Sequence, residues 1–251
     1  MTANRMLTAA TMLAALASAG VSAIAAVPAC RAASSAVAPP VVELYTSEGC
    51  SSCPPADRWL SRLKGDPSAV ALAFHVDYWD RLGWKDRFAS PAYTQRQAQQ
   101  QASTGARFSY TPQVVIDGAD RPDWPRASLA ARAERQPAPV TIELARDGGR
   151  VVASVTAAPG APARLAAYWA VTESGHRSAV KAGENEGATL QHDFVVREYL
   201  PVAAWTPSAG APAALAFSPG LAADTAHPRQ VNLVVIDAQT GRPVQALKLP
   251  C

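Results

Sequence analysis

The chain has 251 residues, 49% hydrophobic and 17% charged, with 15 glycines and 21 prolines in no three-residue period. Such a composition buries a core and excludes a disordered or collagen-like chain. With 23 cations against 20 acids the formal charge is +3, far short of a dedicated nucleic-acid binder, so no nucleic-acid partner is expected.

In chain order the first element is a leader. Arg5 is followed by an uncharged stretch from Met6 to Cys30, in which Leu7, Met12, Leu13 and Leu16 give way to small residues, the layout of a secretory signal. Ala23-Ile24-Ala25 and Val27-Pro28-Ala29 both fit the small-residue rule for cleavage, so residues 1–29 are assigned to a signal peptide and the mature chain to the periplasm or the exterior. Two alternatives are weaker. The stretch is long enough for a membrane anchor but too rich in alanine and hydroxyl residues to be strongly apolar. A lipidated Cys30 is disfavoured by Pro28. No stable membrane insertion is expected after cleavage. Removing Arg5 leaves 22 cations against 20 acids, a nearly neutral chain.

Cleavage before Cys30 leaves Cys30, Cys50, Cys53 and Cys251, an even number suited to an oxidising compartment. Cys50 and Cys53 are near enough to pair locally, and parity then assigns Cys30 to Cys251.

From Val41 to about Gln136 strand-like and helix-like segments alternate, which reads as an α/β domain. Val41–Tyr45 is a buried strand. Ala56, Trp59, Leu60 and Leu63 recur at helical spacing behind Pro54-Pro55, with Gly65 as a stop, predicting a helix over Cys53–Lys64. Val70–Val76 is the next strand. Ser90-Pro91 opens a glutamine-rich helix ending near Ser103, Gln113–Asp117 is a short strand, and Pro125 opens a last, alanine-rich helix. After the linker Arg135-Gln136-Pro137-Ala138-Pro139 the pattern becomes alternating and turn-rich. Val140, Ile142 and Leu144 are joined through Asp147-Gly148-Gly149 to Val151, Ala153 and Val155 as a hairpin. Val231–Ile236 and Val244–Leu249 flank Thr240-Gly241 in the same way, and a small β-sandwich is the natural package.

Cys50-Ser51-Ser52-Cys53, between a strand and a helix, is the sharpest chemical feature. A thiol at a helix N-terminus meets unpaired N–H groups and the positive end of the dipole, which favours its thiolate. Cys50 is therefore expected to be an exposed nucleophile and Cys53 its resolving partner, although Pro54 and Pro55 supply no N–H. Tyr110-Thr111-Pro112-Gln113 precedes the third strand, where a cis X-Pro bond can present a backbone edge to an incoming chain, against the reading of an ordinary trans turn proline; Thr111 and Pro112 are the expected substrate contacts.

Strand-CxxC-helix followed by Thr-Pro-strand resembles the thioredoxin fold, a resemblance that implies a cis proline in a loop beside the CxxC pair. More closely, the runs Val41–Asp57, His75–Asp86 and Tyr110–Gly118 resemble blocks of the domain of unknown function 1223 family of secreted bacterial proteins. So do Gly183-Glu184-Asn185, Thr189-Leu190 and Val195-Val196-Arg197. The resemblance implies a thioredoxin-like α/β domain over residues 40–136 followed by a small all-β, sandwich-like domain over 138–251; it implies no known reaction. Where thioredoxin carries a buried acid on its first strand this chain has Leu44, so Glu43 and Asp77 are the acid–base candidates, against the reading that each is a solvated or ion-paired carboxylate.

His75 is the only histidine near the motif in sequence, and with the two cysteines it would make a three-ligand copper or zinc site; spacing does not select this over a packed histidine, and no metal or other cofactor is assigned. His176, His192 and His227 show no clustering. Tyr78, Trp79, Trp84, Phe88 and Tyr93, interleaved with charges, read as a packed loop, with an aromatic rim beside the cysteines as the competing reading. The function expected from the residues is thiol–disulfide exchange with protein or peptide thiols and disulfides. Its rivals are a binding module with a permanent Cys50–Cys53 disulfide and a metallochaperone.

Overall fold

The computed structural model describes residues 1, 30–129, 136–208 and 210–250. Apart from Met1 the expected leader lies outside them, as does Cys251 and with it the expected Cys30–Cys251 pairing. In chain order the elements are β1 (Arg31–Ala33), β2 (Val41–Thr46), α1 (Pro54–Ser61), β3 (Val70–His75), α2 (Pro91–Thr104), β4 (Gln113–Ile116), β5 (Ala119–Asp120), β6 (Val140–Asp147), β7 (Arg150–Ala157), β8 (Leu165–Glu173), β9 (His176–Ala179), β10 (Thr189–His192), β11 (Val195–Trp205), β12 (Ala213–Phe217), β13 (Arg229–Asp237) and β14 (Pro243–Leu249). Among the described residues no helix is long and apolar enough to cross a membrane.

Local chemistry sets most element ends. The Pro54-Pro55 pair opens α1, where missing N–H groups are tolerated. Ser90 caps α2 by accepting from the Ala92 amide at 3.3 Å, and Gly105 closes it in the left-handed conformation. The helix expected from Pro125 does not begin there: a 3-10 turn spans Trp124–Arg126 and Ala127 is extended, while 130–135 lie outside the described residues.

The expected α/β thioredoxin-like domain followed by a separate small β domain is overturned by the sheet topology. Fourteen strands stand against two α-helices among the described residues, and eight strands form one sheet in the order β14-β13-β8-β11-β3-β2-β4-β5. Strands from both halves of the sequence therefore share one ladder. The junction is β11 beside β3, parallel, with Val195 opposite Ala73 and the Ala73 amide bonded to the Phe194 carbonyl at 2.8 Å. Periodicity reads β3 but neither β11 nor its place at the edge of β3; an uncovered edge leaves unpaired backbone groups, and β11 satisfies them.

One face of the large sheet carries α1, whose Ala56, Trp59 and Leu60 pack on Val42, Leu44, Ala71 and Ala73. The same face also carries the four-stranded sheet β1-β6-β7-β12, whose Ile142, Leu144, Val151 and Val155 bury Leu165, Trp169, Val171 and Leu233. The opposite face is covered by α2 through Tyr93, over Tyr45, Phe74, Tyr168 and Val234. Strands β9 and β10 stand apart as a two-stranded hairpin.

On the α2 face Glu43 is buried and accepts from Arg96 Nη2 at 2.7 Å and from the phenols of Tyr45 and Tyr168, each at 2.5 Å. Burial pushes its carboxyl up, but the Arg96 charge and these hydrogen bonds outweigh that and hold it below its ordinary value. This acid–base candidate is thus committed to β2, α2 and β8.

Glu43→Ala should cost about 3–5 kcal/mol because Arg96 is left buried and unpaired, and Tyr168→Phe about 1–3 kcal/mol, both read from urea unfolding. With its folded pKa depressed, Glu43 contributes fully above the unfolded carboxylate value of about 4.3 and loses that contribution as pH falls through the folded value, so the Glu43→Ala deficit should shrink in acid. Wild-type midpoints in both variants would remove the tie.

Candidate functional site

The loop between β2 and α1 is wound on its own backbone. The Cys50 amide bonds the Ser47 carbonyl at 3.2 Å, and the Cys53 amide bonds the Cys50 carbonyl at 3.2 Å. Cys50 and Cys53 form a disulfide, and Cys53 is the N-cap of α1. The first turn offers a thiolate no spare amide: Pro54 and Pro55 have none, and those of Ala56 and Asp57 both bond the Cys53 carbonyl, at 2.9 and 3.2 Å.

The expectation of an exposed Cys50 sulfur is corrected: Cys50 and Cys53 are each 0% exposed, while Ser51 and Ser52 between them are exposed. Three walls stand around the cysteine loop. Trp79 packs on Gly49, where an added Cβ would meet the Trp79 Cβ at 3.1 Å. The Thr111–Pro112 peptide is cis, and Thr111 stands beside the loop, its carbonyl accepting from Ser52 Oγ at 3.5 Å and its hydroxyl from Trp79 Nε1 at 2.8 Å. The third wall is the turn between β9 and β10. Glu184 Oε2 accepts from the Ser51 amide at 3.0 Å and from Ser51 Oγ at 2.8 Å, and Asn185 Nδ2 donates to the carbonyls of Glu48 at 2.8 Å and Cys50 at 2.9 Å. The Ser51 donors lower the Glu184 pKa.

Behind the disulfide, on the α1 face, lies a buried polar cluster that sequence reasoning did not assemble. His75 Nδ1 is 2.6 Å from Asp86 Oδ2, which also accepts from the Glu48 amide at 2.9 Å. Glu48 Oε2 accepts from Trp84 Nε1 at 2.7 Å, and Glu48 Oε1 is 3.4 Å from His192 Nε2. The rings of His75 and His192 are 4.9 Å apart, and those of His176 and His227 are 3.8 Å apart, so the histidines that looked scattered form two pairs. Burial pulls the His75 imidazole down, but Asp86 outweighs it and leaves its pKa raised; the Asp86 carboxyl, pushed up by burial, is lowered by His75.

Asp57, one helical turn after Cys53, is buried and accepts from Thr46 Oγ1 at 3.2 Å. Burial pushes its carboxyl above the ordinary value, against the pull of His192 and His75. Asp57 also lines a cavity of about 410 Å³ with Pro54, Arg58, Leu190 and Gln191. The i,i+4 spacing from Cys53 was the available signal for it. Of the named candidates, Cys50, Cys53, Thr111 and Pro112 come together. Glu43 lies on the opposite face of β2, and Asp77 accepts from Thr94 Oγ1 at 2.5 Å near the start of α2. Among the aromatics, Phe88 and Tyr93 are buried, while Tyr78, Trp79 and Trp84 are half-buried around the site.

A β-rich molecule with an enclosed CxxC disulfide is thus defined. The chain belongs to the family described as protein of unknown function DUF1223, whose model matches residues 41–236. It is similar to the crystal structure of protein AGR_C_4864 from Agrobacterium tumefaciens, with 28% identity and a TM-score of 0.61 over 84% of this chain and 93% of that one. It also shares its fold with HBP35 of Porphyromonas gingivalis, with a TM-score of 0.61 and 14% identity over 86% of this chain and 76% of that one. No curated protein matches.

Because the Asp57 pKa is raised on folding, its ionised form costs stability above the folded value and nothing below the unfolded value of about 3.9. Asp57→Asn should therefore raise the melting temperature at pH 7, by a few degrees, and the gain should vanish near pH 3. A variant less stable than wild type at pH 7 would show that the carboxylate is compensated.

Proposed function

We propose that the protein exchanges thiols and disulfides with protein or peptide partners through Cys50 and Cys53, in the periplasm or outside the cell. The observation that supports this reading most is the juxtaposition of the Cys50–Cys53 disulfide, at the start of α1, with the Thr111–Pro112 loop. In the oxidised form a partner thiolate attacks the Cys50 sulfur, the Cys50–Cys53 bond breaks, and Cys53 leaves as a thiolate. A second partner thiol then attacks the partner sulfur of the mixed disulfide and releases Cys50. Two electrons pass from the partner dithiol to the cysteine pair, and the partner gains a disulfide; the reverse sequence reduces a partner disulfide. Since the first turn of α1 offers no spare amide, thiolate stabilisation is left to the dipole and to Ser52 Oγ, 3.4 Å from Cys50 Sγ, which supports a couple toward the reducing end of the oxidoreductase range.

One observation favours a second reading. Both cysteines are fully enclosed, as they would be in a permanent disulfide of a binding module. The metallochaperone reading has less support: His75 Nδ1 is committed to Asp86, and among the described residues no three metal-ligating side chains converge.

The reduction potential of the Cys50–Cys53 couple, with Cys30 and Cys251 replaced by Ser, separates the two. Exchange predicts a value between about −120 and −270 mV, nearer the latter, whereas a permanent bridge sits below about −300 mV. Cys53→Ser should also trap partners on Cys50 as mixed disulfides that dithiothreitol releases; their absence, with a potential below about −300 mV, would reject exchange.

A further inference from the structure

We propose that the β9–β10 turn is a lid over the Cys50–Cys53 disulfide, with Glu184 and Asn185 as its latch, and that lid opening admits the attacking thiol. The inference rests on the exchange reading and specifies how access to that same site is controlled.

Exchange needs a thiolate to reach a disulfide sulfur, so its rate depends on access as well as on nucleophilicity. Both cysteines are fully buried, and something must move before either sulfur is attacked. The three walls differ in how they are held. Trp79 is packed against Gly49 and bonded to Thr111, and Thr111 leads directly into β4, an interior strand of the large sheet. Moving either disturbs packed structure. The third wall belongs to a hairpin that pairs only with itself. His176, Leu190 and His192 anchor its strands, but Glu184, Glu186 and Gly187 at its tip are exposed.

The turn is internally braced and externally latched. Within it the Val180 amide bonds the Ala188 carbonyl at 2.9 Å, and the Gly187 amide bonds the Val180 carbonyl at 3.0 Å, so it moves as one piece. Gly183 lets it rest against Trp84, where an added Cβ would meet the Trp84 Cβ at 3.4 Å. Its polar hold on the cysteine loop is the pair of hydrogen bonds from Ser51 to Glu184 and the pair from Asn185 to the Glu48 and Cys50 carbonyls. The Ser51 end of the latch is exposed, so water replaces Glu184 there once the turn lifts, whereas the Glu48 and Cys50 carbonyls belong to buried residues and meet water only in the open form, which holds the lid shut at rest. The latch grips the cysteine loop through Ser51 and the Cys50 carbonyl and spares the Thr111–Pro112 edge, so lifting it frees the loop without dismantling the expected substrate contact.

The test is the reduction kinetics of the oxidised full chain by dithiothreitol, with the Cys50–Cys53 thiols read by differential alkylation and mass spectrometry. Dithiothreitol supplies both electrons and leaves as its cyclic disulfide. For wild type the rate should level off at high dithiothreitol, where opening limits it. Glu184→Ala and Asn185→Ala should each raise the plateau about tenfold, as expected for lost latch hydrogen bonds. Reduction and reoxidation should accelerate together, leaving the equilibrium potential unchanged, which a mere weakening of the oxidised state would not do. Lys181→Ala, on the same turn but away from the cysteine loop, should behave as wild type, and melting temperatures confirm that the variants stay folded. A wild-type rate strictly proportional to dithiothreitol, with the latch variants no faster, overturns the lid, and so does equal acceleration by Lys181→Ala. A potential in the range of permanent bridges rejects the exchange reading whatever the rates; a potential in the oxidoreductase range with unchanged rates rejects the lid alone.

Discussion

A carboxylate shut away from water needs partners, and the Glu43 carboxylate is the constraint on which the rest of this fold turns. Its ionised form is tolerated inside the sheet only because Arg96 and two phenols surround it. Arg96 is 53 residues away and Tyr168 is 125 residues away, so all three partners converge only if α2 lies over β2 and β8 stands in the same sheet. The charge alone would be a liability. Satisfied, it ties the early strands to the late ones, and the parallel pairing of β11 with β3 completes that link.

The same joining builds the site. With β8 and β11 in the large sheet, the β9–β10 hairpin between them falls beside the β2–α1 loop, and Glu184 and Asn185 reach Ser51 and Cys50. Alternation along β2 keeps the two polar systems apart. Glu43 points with Tyr45 toward α2, while Thr46 points with Leu44 toward α1, where Asp57, His75 and His192 gather behind the disulfide. One face thus holds a carboxylate kept ionised by Arg96. The other holds Asp57, whose pKa is raised by burial, next to His75 and Asp86, whose charges stabilise each other.

Local readings held where a single stretch carries the cause. The run Val41–Tyr45 is a strand because it is continuously apolar apart from one acid, and Ser90-Pro91 starts a helix because a hydroxyl cap and a preset φ suffice. Asp147-Gly148-Gly149 turns a hairpin because glycine takes the positive φ that the turn needs. Readings failed where the cause is remote. Cys50 is expected at an exposed helix tip from its place between strand and helix, yet it is buried where Gly49 admits Trp79 and a turn more than 130 residues later bonds its carbonyl. Histidines separated by 117 positions looked unrelated, yet His75 and His192 are 4.9 Å apart.

The sequence by itself determined β2, β3, β4, α1, α2, the β6–β7 and β13–β14 hairpins and the local Cys50–Cys53 pair, since each depends on covalent geometry or on neighbours within a turn or two. Only the tertiary structure decided that one eight-stranded sheet replaces two separate domains, that the disulfide is enclosed, and which carboxylates surround it. Those outcomes depend on which unpaired strand edges and buried charges find partners, and partners a hundred residues away leave no periodic trace along the chain.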